Sequence, residues 1–172
     1  MKALVACLAL VAFACGKEAA KQPEKLTFKF ADPGPGVSVK KVKEMGPGEE
    51  VVVEGRVSNM VKGLHAYNLV DDELYYCGRG GKEDDCKTPW DYCCVDAGER
   101  AAATISVEVR GADGKVLPMG RPGPVVPDLR LLDLVTVKGK IEKDEHGNVT
   151  IVETMRYVRE RPELPGDLHW PE

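Results

Sequence analysis

Two segments that share one alternating pattern constrain the fold of this chain more than any other feature. Residues 51–57 read Val-x-Val-x-Gly-x-Val, and residues 135–141 repeat the pattern as Val-x-Val-x-Gly-x-Ile, 84 positions later. Strict alternation over this length is typical of a β-strand with one buried face. A glycine in the interior of such a strand marks a bend or a bulge. The two segments therefore predict two bent strands of one sheet.

Three further stretches, 66–70, 104–110 and 149–158, are bounded by turn residues and also predict strands. Five short strands, of which the first and fourth are bent at a glycine, resemble the OB-fold, a five-stranded Greek-key barrel. The resemblance covers roughly residues 48–159 and implies a mainly β domain with little helix and a Cys-rich insertion between strands 2 and 3. An antiparallel sandwich is the alternative arrangement of the same strands.

The chain begins with a targeting segment. After Lys2, an uninterrupted apolar run of 12 residues ends at Ala14, which suits a signal peptide and is too short to span a bilayer as a helix. Residues 12–15, Ala-Phe-Ala-Cys, resemble the lipobox of bacterial lipoproteins, in which the cysteine is acylated. This resemblance implies lipidation of Cys15 and a protein anchored to a bacterial membrane, facing the periplasm or the cell exterior. The alternative is an ordinary secretory signal cleaved after Ala14.

The composition along the chain divides it into five parts. We expect a signal peptide at 1–14, a flexible tether at 15–25, an N-terminal extension at 26–47, the barrel at 48–159 and an irregular tail at 160–172. Within the extension, the alternation of residues 26–30 predicts an edge strand. Residues 37–45 carry a weak pattern that fits either a helix or a strand.

Four cysteines, Cys77, Cys86, Cys93 and Cys94, remain after the leader and Cys15 are set aside. In an oxidising compartment, four cysteines within 18 residues predict two disulfides. A bridge between the adjacent Cys93 and Cys94 would be strained, so two connectivities remain. In each of them, Cys93 pairs with one of Cys77 and Cys86, and Cys94 pairs with the other. One alternative is a zinc or copper site, although the C-x2–4-C pair of zinc sites is missing and copper(I) is easier to accommodate. Redox-active thiols are a lesser alternative, because a C-x-x-C motif is missing.

The same insertion holds an aromatic group made of Tyr75, Tyr76, Trp90 and Tyr92. These side chains form either a miniature core around the cysteines or a recognition surface for a partner, and we place the ligand-binding surface on them. Seven acidic residues flank them against three basic ones, and the formal net charge of −4 becomes −5 once Lys2 leaves with the leader. Nucleic acid is therefore a lesser alternative as a ligand.

Residues 87–94, Lys-Thr-Pro-Trp-Asp-Tyr-Cys-Cys, match a run found in uncharacterised bacterial OB-fold lipoproteins. This resemblance implies a fold and a location and no activity. The C-terminal half has a looser similarity to exported OB-fold haem chaperones of cytochrome c assembly, which makes haem handling an alternative beside metal binding. The His-x-x-x-Tyr pattern that holds haem in those proteins is missing from this chain.

No motif in the sequence indicates catalysis, and the serines lack the Gly-x-Ser-x-Gly context of a hydrolase. We therefore expect a non-enzymatic binding module without a cofactor, unless the cysteines hold zinc or copper. Its expected partners are a membrane, through the lipid on Cys15, and a protein or glycan of the cell envelope.

Overall fold

The computed structural model describes residues 29–79, 88, 90–120 and 129–163. The elements run in chain order as follows: β1 (Lys29–Phe30), β2 (Val37–Ser38), α1 (Val39–Glu44), β3 (Glu50–Met60), β4 (Ala66–Val70), α2 (Ala97–Ala102), β5 (Thr104–Glu108), β6 (Leu134–Lys143) and β7 (Val149–Glu160). None of the helices in the described part of the chain is long and apolar enough to cross a membrane.

Five strands close into a barrel in the order β3, β4, β5, β7, β6 and back to β3. The β5–β7 pair is parallel and the other four pairs are antiparallel. Because β6 pairs with both β3 and β7, the sheet closes on itself. A sandwich would leave open edges there. The predicted OB-like barrel is confirmed, with its insertion between the second and third barrel strands.

The alternating residues of the strands fill the barrel. Val53, Val57, Val107, Ile141 and Ile151 are all less than 1% exposed and belong to one apolar cluster. Each such side chain contributes roughly 1.5–3 kcal/mol relative to leaving it in water. The period-two pattern in the sequence therefore corresponds to the inward face of the barrel.

The two interior glycines have different structural causes. Gly139 lies at a shift in register between β6 and β7, which confirms the predicted bulge there. Gly55 lies two residues before the register shift of β3, which falls between Val57 and Asn59. A Cβ at Gly55 would lie 2.7 Å from the carbonyl oxygen of Val70, so this glycine permits a close approach of β4.

The N-terminal extension wraps around the barrel. β1 pairs with β7, and β2 pairs with β3, both in parallel. The Ser38 side chain caps α1 by accepting a hydrogen bond from the backbone N–H of Lys41. Val39 and Val42 of this helix are fully buried in the barrel core. The pattern at residues 37–45 therefore contains both a strand and a helix.

Some strand ends differ from the prediction. The strand expected at 104–110 ends at Glu108, and Arg110 forms an isolated bridge with Val116. The last strand continues to Glu160, two residues beyond its predicted end. These differences arise because strand ends follow the length of the partner strand as well as the local pattern. The expected strand at 26–30 is described only for Lys29–Phe30.

Candidate ligand cleft and thiol cluster

The insertion between β4 and β5 builds a second apolar cluster on the outer face of the barrel. Its buried members are Val70, Leu74, Tyr92, Ala103 and Leu132, and Tyr76, Trp90 and Val95 pack against them. A long connection without a sheet of its own needs such a cluster to hold a fixed shape. The described residues of the insertion are therefore part of the folded domain and pack against one side of the barrel.

The four aromatic side chains predicted as a surface lie at different depths. Tyr92 is only 3% exposed, whereas Tyr75 is 45% exposed and Tyr76 and Trp90 are half-buried. The ring of Tyr76 meets that of Tyr92 edge to face, with 6.3 Å between centroids. Tyr92 is thus placed in the core of the insertion, in one buried cluster with Val70 of β4 and Leu132. A recognition role for Tyr75, Tyr76, Trp90 and Tyr92 stays a prediction.

The Tyr92 hydroxyl is buried and has no hydrogen-bond partner within the part of the chain that the structure describes. Burial raises the pKa of this phenol well above its usual value, since the phenolate would lose its hydration. Tyr92 therefore stays neutral and acts as a packing residue.

Arg56 joins the insertion to the barrel. Although it occupies an outward position on β3, its side chain is only 6% exposed. Its Nε donates to Asp72 at 2.6 Å, and its Nη1 donates to the carbonyl oxygen of Leu132 at 3.0 Å and to Glu160 at 3.2 Å. The guanidinium also lies 5.6 Å from the ring centroid of Tyr76. Arg56 thereby fixes the start of the insertion against β3 and β7.

Three of the four predicted cysteines come together at the surface of the insertion. The Sγ atom of Cys77 lies 3.2 Å from that of Cys93 and 3.9 Å from that of Cys94, and the last two are also 3.9 Å apart. Cys77 is buried, and the other two are exposed. A disulfide needs about 2.05 Å between sulfurs, so no bridge joins any two of these three. Cys86 and Cys15 lie outside the described residues, and the predicted disulfides stay a prediction.

A cleft of about 380 Å³ opens beside this cluster, between α2 and the outer face of β3, β4 and β5. Its described lining consists of Ser58, Asn59, Asn68, Val70, Asp91, Tyr92, Ala97, Arg100, Ala101 and Thr104. Because side chains alternate along β4, Asn68 and Val70 face outward while Tyr67 and Leu69 face the core. The strand pattern that fills the barrel therefore also supplies the floor of the cleft.

Helix α2 forms one wall of the cleft. Asp96 caps it by accepting hydrogen bonds from the backbone N–H groups of Gly98, at 2.8 Å, and Glu99, at 3.1 Å. Arg100, the residue after Glu99, forms no ion pair with any residue that the structure describes. On the floor, Asn68 accepts a hydrogen bond of 3.4 Å from the hydroxyl of Ser106. The described lining therefore presents a guanidinium, a carboxylate, two amides and two hydroxyls.

The sequence prediction missed both α2 and this cleft. The signal for α2 was present, since Asp96 followed by Glu99 and by an Ala-rich stretch is typical of a helix start. The polar residues at the outward positions of β4 and β5 gave no signal of their own. Such residues are the ordinary composition of a solvated strand face, and only the position of α2 turns them into a cleft.

Among known proteins, only solved structures are similar to this chain. No family model and no curated protein matches the chain. An OBody bound to hen egg-white lysozyme is 17% identical, with 78% of this chain and 100% of that chain covered and a TM-score of 0.44. The hypothetical protein YgiW from E. coli is 16% identical, with 74% and 94% covered and a TM-score of 0.38. The OB-like assignment rests on the strand order described above.

Proposed function

We propose that this protein is an exported, lipid-anchored binding module that holds a hydroxyl-rich segment of a cell-envelope glycan in its cleft. The observation that carries the proposal is the cleft of about 380 Å³ over β3, β4 and β5. This volume falls within the range of about 300–1,000 Å³ that is usual for small-molecule sites. In OB barrels, the face of the second and third strands is the one that binds oligosaccharides and oligonucleotides.

The chemistry of the lining favours a glycan over a nucleic acid. Ser58, Asn59 and Asn68 offer a hydroxyl and two amides, which donate and accept hydrogen bonds without a charge. The Thr104 hydroxyl donates to the carbonyl oxygen of Arg100 at 2.6 Å, so it offers the cleft an acceptor. Among the described lining residues there is one cation, Arg100, and one carboxylate, Asp91, whereas a nucleic-acid groove needs several cations. A net charge of −4 for the whole chain opposes binding to phosphates as well.

The proposal assigns binding and no catalytic step. The one carboxylate of the described lining, Asp91, accepts a hydrogen bond from the backbone N–H of Tyr92 at 2.7 Å. The export and the lipid anchor are supported by the apolar leader and by Cys15, which follows Ala14.

Calorimetric titration with soluble glycan strands released from bacterial cell walls tests the cleft. Arg100→Ala removes the guanidinium from an exposed helix position and should weaken binding about tenfold or more, because hydrogen bonds to charged groups contribute roughly 1.5–3 kcal/mol. Lys115→Ala is the matched control, since it also removes one positive charge but lies in the turn between residues 111 and 116. No binding heat from the unaltered protein, or equal losses in both variants, would contradict the proposal.

A further inference from the structure

We propose that Cys77, Cys93 and Cys94 form a three-thiolate site for a soft monovalent cation, copper(I). The site is separate from the glycan cleft and does not depend on it. Its basis is the placement of three sulfur atoms within 3.9 Å of one another. Sulfur is the ligand that soft cations prefer.

The triangle of sulfur atoms has the size of a metal site. A metal–thiolate bond of about 2.3 Å places the sulfurs of a planar three-coordinate site about 4.0 Å apart. Two edges of the observed triangle, from Cys94 to Cys77 and from Cys94 to Cys93, measure 3.9 Å. The third edge, from Cys77 to Cys93, measures 3.2 Å and must open by less than 1 Å. Cys93 is exposed, so its side chain has room for this adjustment.

The backbone brings the two adjacent cysteines to one side. The N–H of Val95 donates to the carbonyl oxygen of Tyr92 at 3.1 Å, which closes a turn with Cys93 and Cys94 at its two central positions. The N–H of Cys77 donates to the carbonyl oxygen of Asp91 at 2.9 Å and fixes the third cysteine next to that turn. The buried ring of Tyr92 anchors the turn from below. The three sulfurs are thus held by the fold and do not depend on a metal to meet.

The donor set favours copper(I) over zinc. Among the described residues, the group of possible metal ligands within 4.8 Å of one another contains these three cysteines and no histidine or carboxylate. Zinc takes four ligands in structural sites, whereas copper(I) accepts a lower coordination number. Two of the three sulfurs are exposed, so the cation has a direct path from solvent. Binding displaces the three thiol protons to solvent and changes no oxidation state.

The test is an anaerobic competition for copper(I) between the reduced full chain and bicinchoninate, whose copper(I) complex is coloured. We expect one copper(I) ion per chain. Cys94→Ser should lower the affinity at least about 100-fold, since loss of a ligand exceeds the 10–100-fold loss that follows removal of a supporting residue. Cys94 is exposed, so this variant should keep the far-UV circular dichroism spectrum and melting temperature of the parent.

Cys86→Ser is the matched control, because Cys86 lies in the same insertion but is no part of the proposed triangle. It should retain one copper(I) ion with an affinity within threefold of the parent. Failure of the reduced parent to compete for copper(I) would overturn the proposal. So would tight zinc binding that Cys86→Ser abolishes, since that result requires a four-cysteine site.

Discussion

Arg156 and Glu153 form an ion pair on the inward face of β7. The two side chains are 2% and 0% exposed, and the Nε of Arg156 donates to Glu153 at 2.7 Å. The hydroxyl of Tyr67 donates to the same carboxylate at 3.0 Å, and its ring lies 4.7 Å from the guanidinium. Burial raises the pKa of Glu153, and Arg156 opposes that rise by stabilising the carboxylate. The carboxylate inside the barrel therefore depends on its partner.

Arg156→Met should destabilise the protein by about 3–5 kcal/mol, because it leaves the Glu153 carboxylate buried without an opposite charge. Urea unfolding followed by circular dichroism measures the change. Arg110→Met is the matched control, since Arg110 pairs with Glu108 and Glu142 near the surface and should cost no more than about 1 kcal/mol. If both variants lost the same free energy of unfolding, burial of the Arg156–Glu153 pair would make no difference to stability, which contradicts the prediction.

Arg56 marks a limit of sequence reasoning at the scale of single residues. Its outward position on β3 predicts a solvated side chain, yet it lies under the insertion with Asp72 and Tyr76 against it. Likewise, the sequence grouped Tyr92 with Tyr75, and only the packing of the insertion separates the buried ring from the exposed one. A local sequence pattern does not reveal the contacts that a distant segment of the chain makes with a residue.

Gly139 shows at the scale of strands how closely β6 and β7 approach each other. A Cβ at this position would lie 2.4 Å from the carbonyl oxygen of Val152, and backbone atoms have no room to move aside cheaply. Gly139→Ala should therefore destabilise the barrel by about 1–3 kcal/mol, as overpacking does. The shift of the urea midpoint measures the effect.

Gly46→Ala provides the comparison for this strand variant. A Cβ at Gly46 would meet only the carboxylate end of Glu49, the far end of an exposed side chain that accepts a hydrogen bond from the Gly46 N–H at 2.7 Å. We expect a change within about 0.5 kcal/mol. A Gly139→Ala protein as stable as Gly46→Ala would contradict the close contact between β6 and β7.

The five barrel strands were predictable because each buries one face, and burial imposes a period of two on the sequence. The extension was predictable only in part, since β1 and β2 are two residues long and exist through pairing with β7 and β3. The cleft was not predictable. The cysteines were predicted as disulfides or a zinc or copper site, but the geometry of the triangle of Cys77, Cys93 and Cys94 was not predictable from the sequence. The cleft and the triangle both depend on how the described residues of the insertion, 71–79, 88 and 90–103, pack on the outer face of the barrel.

At the scale of the whole molecule, the extension ties the start of the described chain to the barrel. Arg159 of β7 donates to the carboxylate of Asp32 and to the carbonyl oxygen of Gly34, the latter at 2.7 Å. Lys29 follows Cys15 by 14 positions. An extended chain of that length reaches at most about 50 Å, so a lipid on Cys15 would keep the barrel within that distance of the membrane.

Cys15→Ser should move the protein from the membrane pellet to the soluble fraction after cell fractionation, because it removes the acylated residue. Cys94→Ser is the control and should stay with the membranes, since it replaces a cysteine of the insertion. Retention of Cys15→Ser in the pellet would refute the lipid anchor. The barrel and its cleft would be unaffected by either outcome.

The most direct test of the glycan cleft is a ¹H–¹⁵N NMR titration of the uniformly labelled, non-acylated protein with cell-wall glycan strands. We expect saturable shifts of the backbone amides of Asn59, Asn68, Arg100 and Thr104, which line the cleft. The amides around Arg110 and Glu142, which pair elsewhere on the barrel surface, should not move. Shifts centred on Arg110 and Glu142, or no shifts at any amide, would contradict a glycan-binding cleft over β3, β4 and β5.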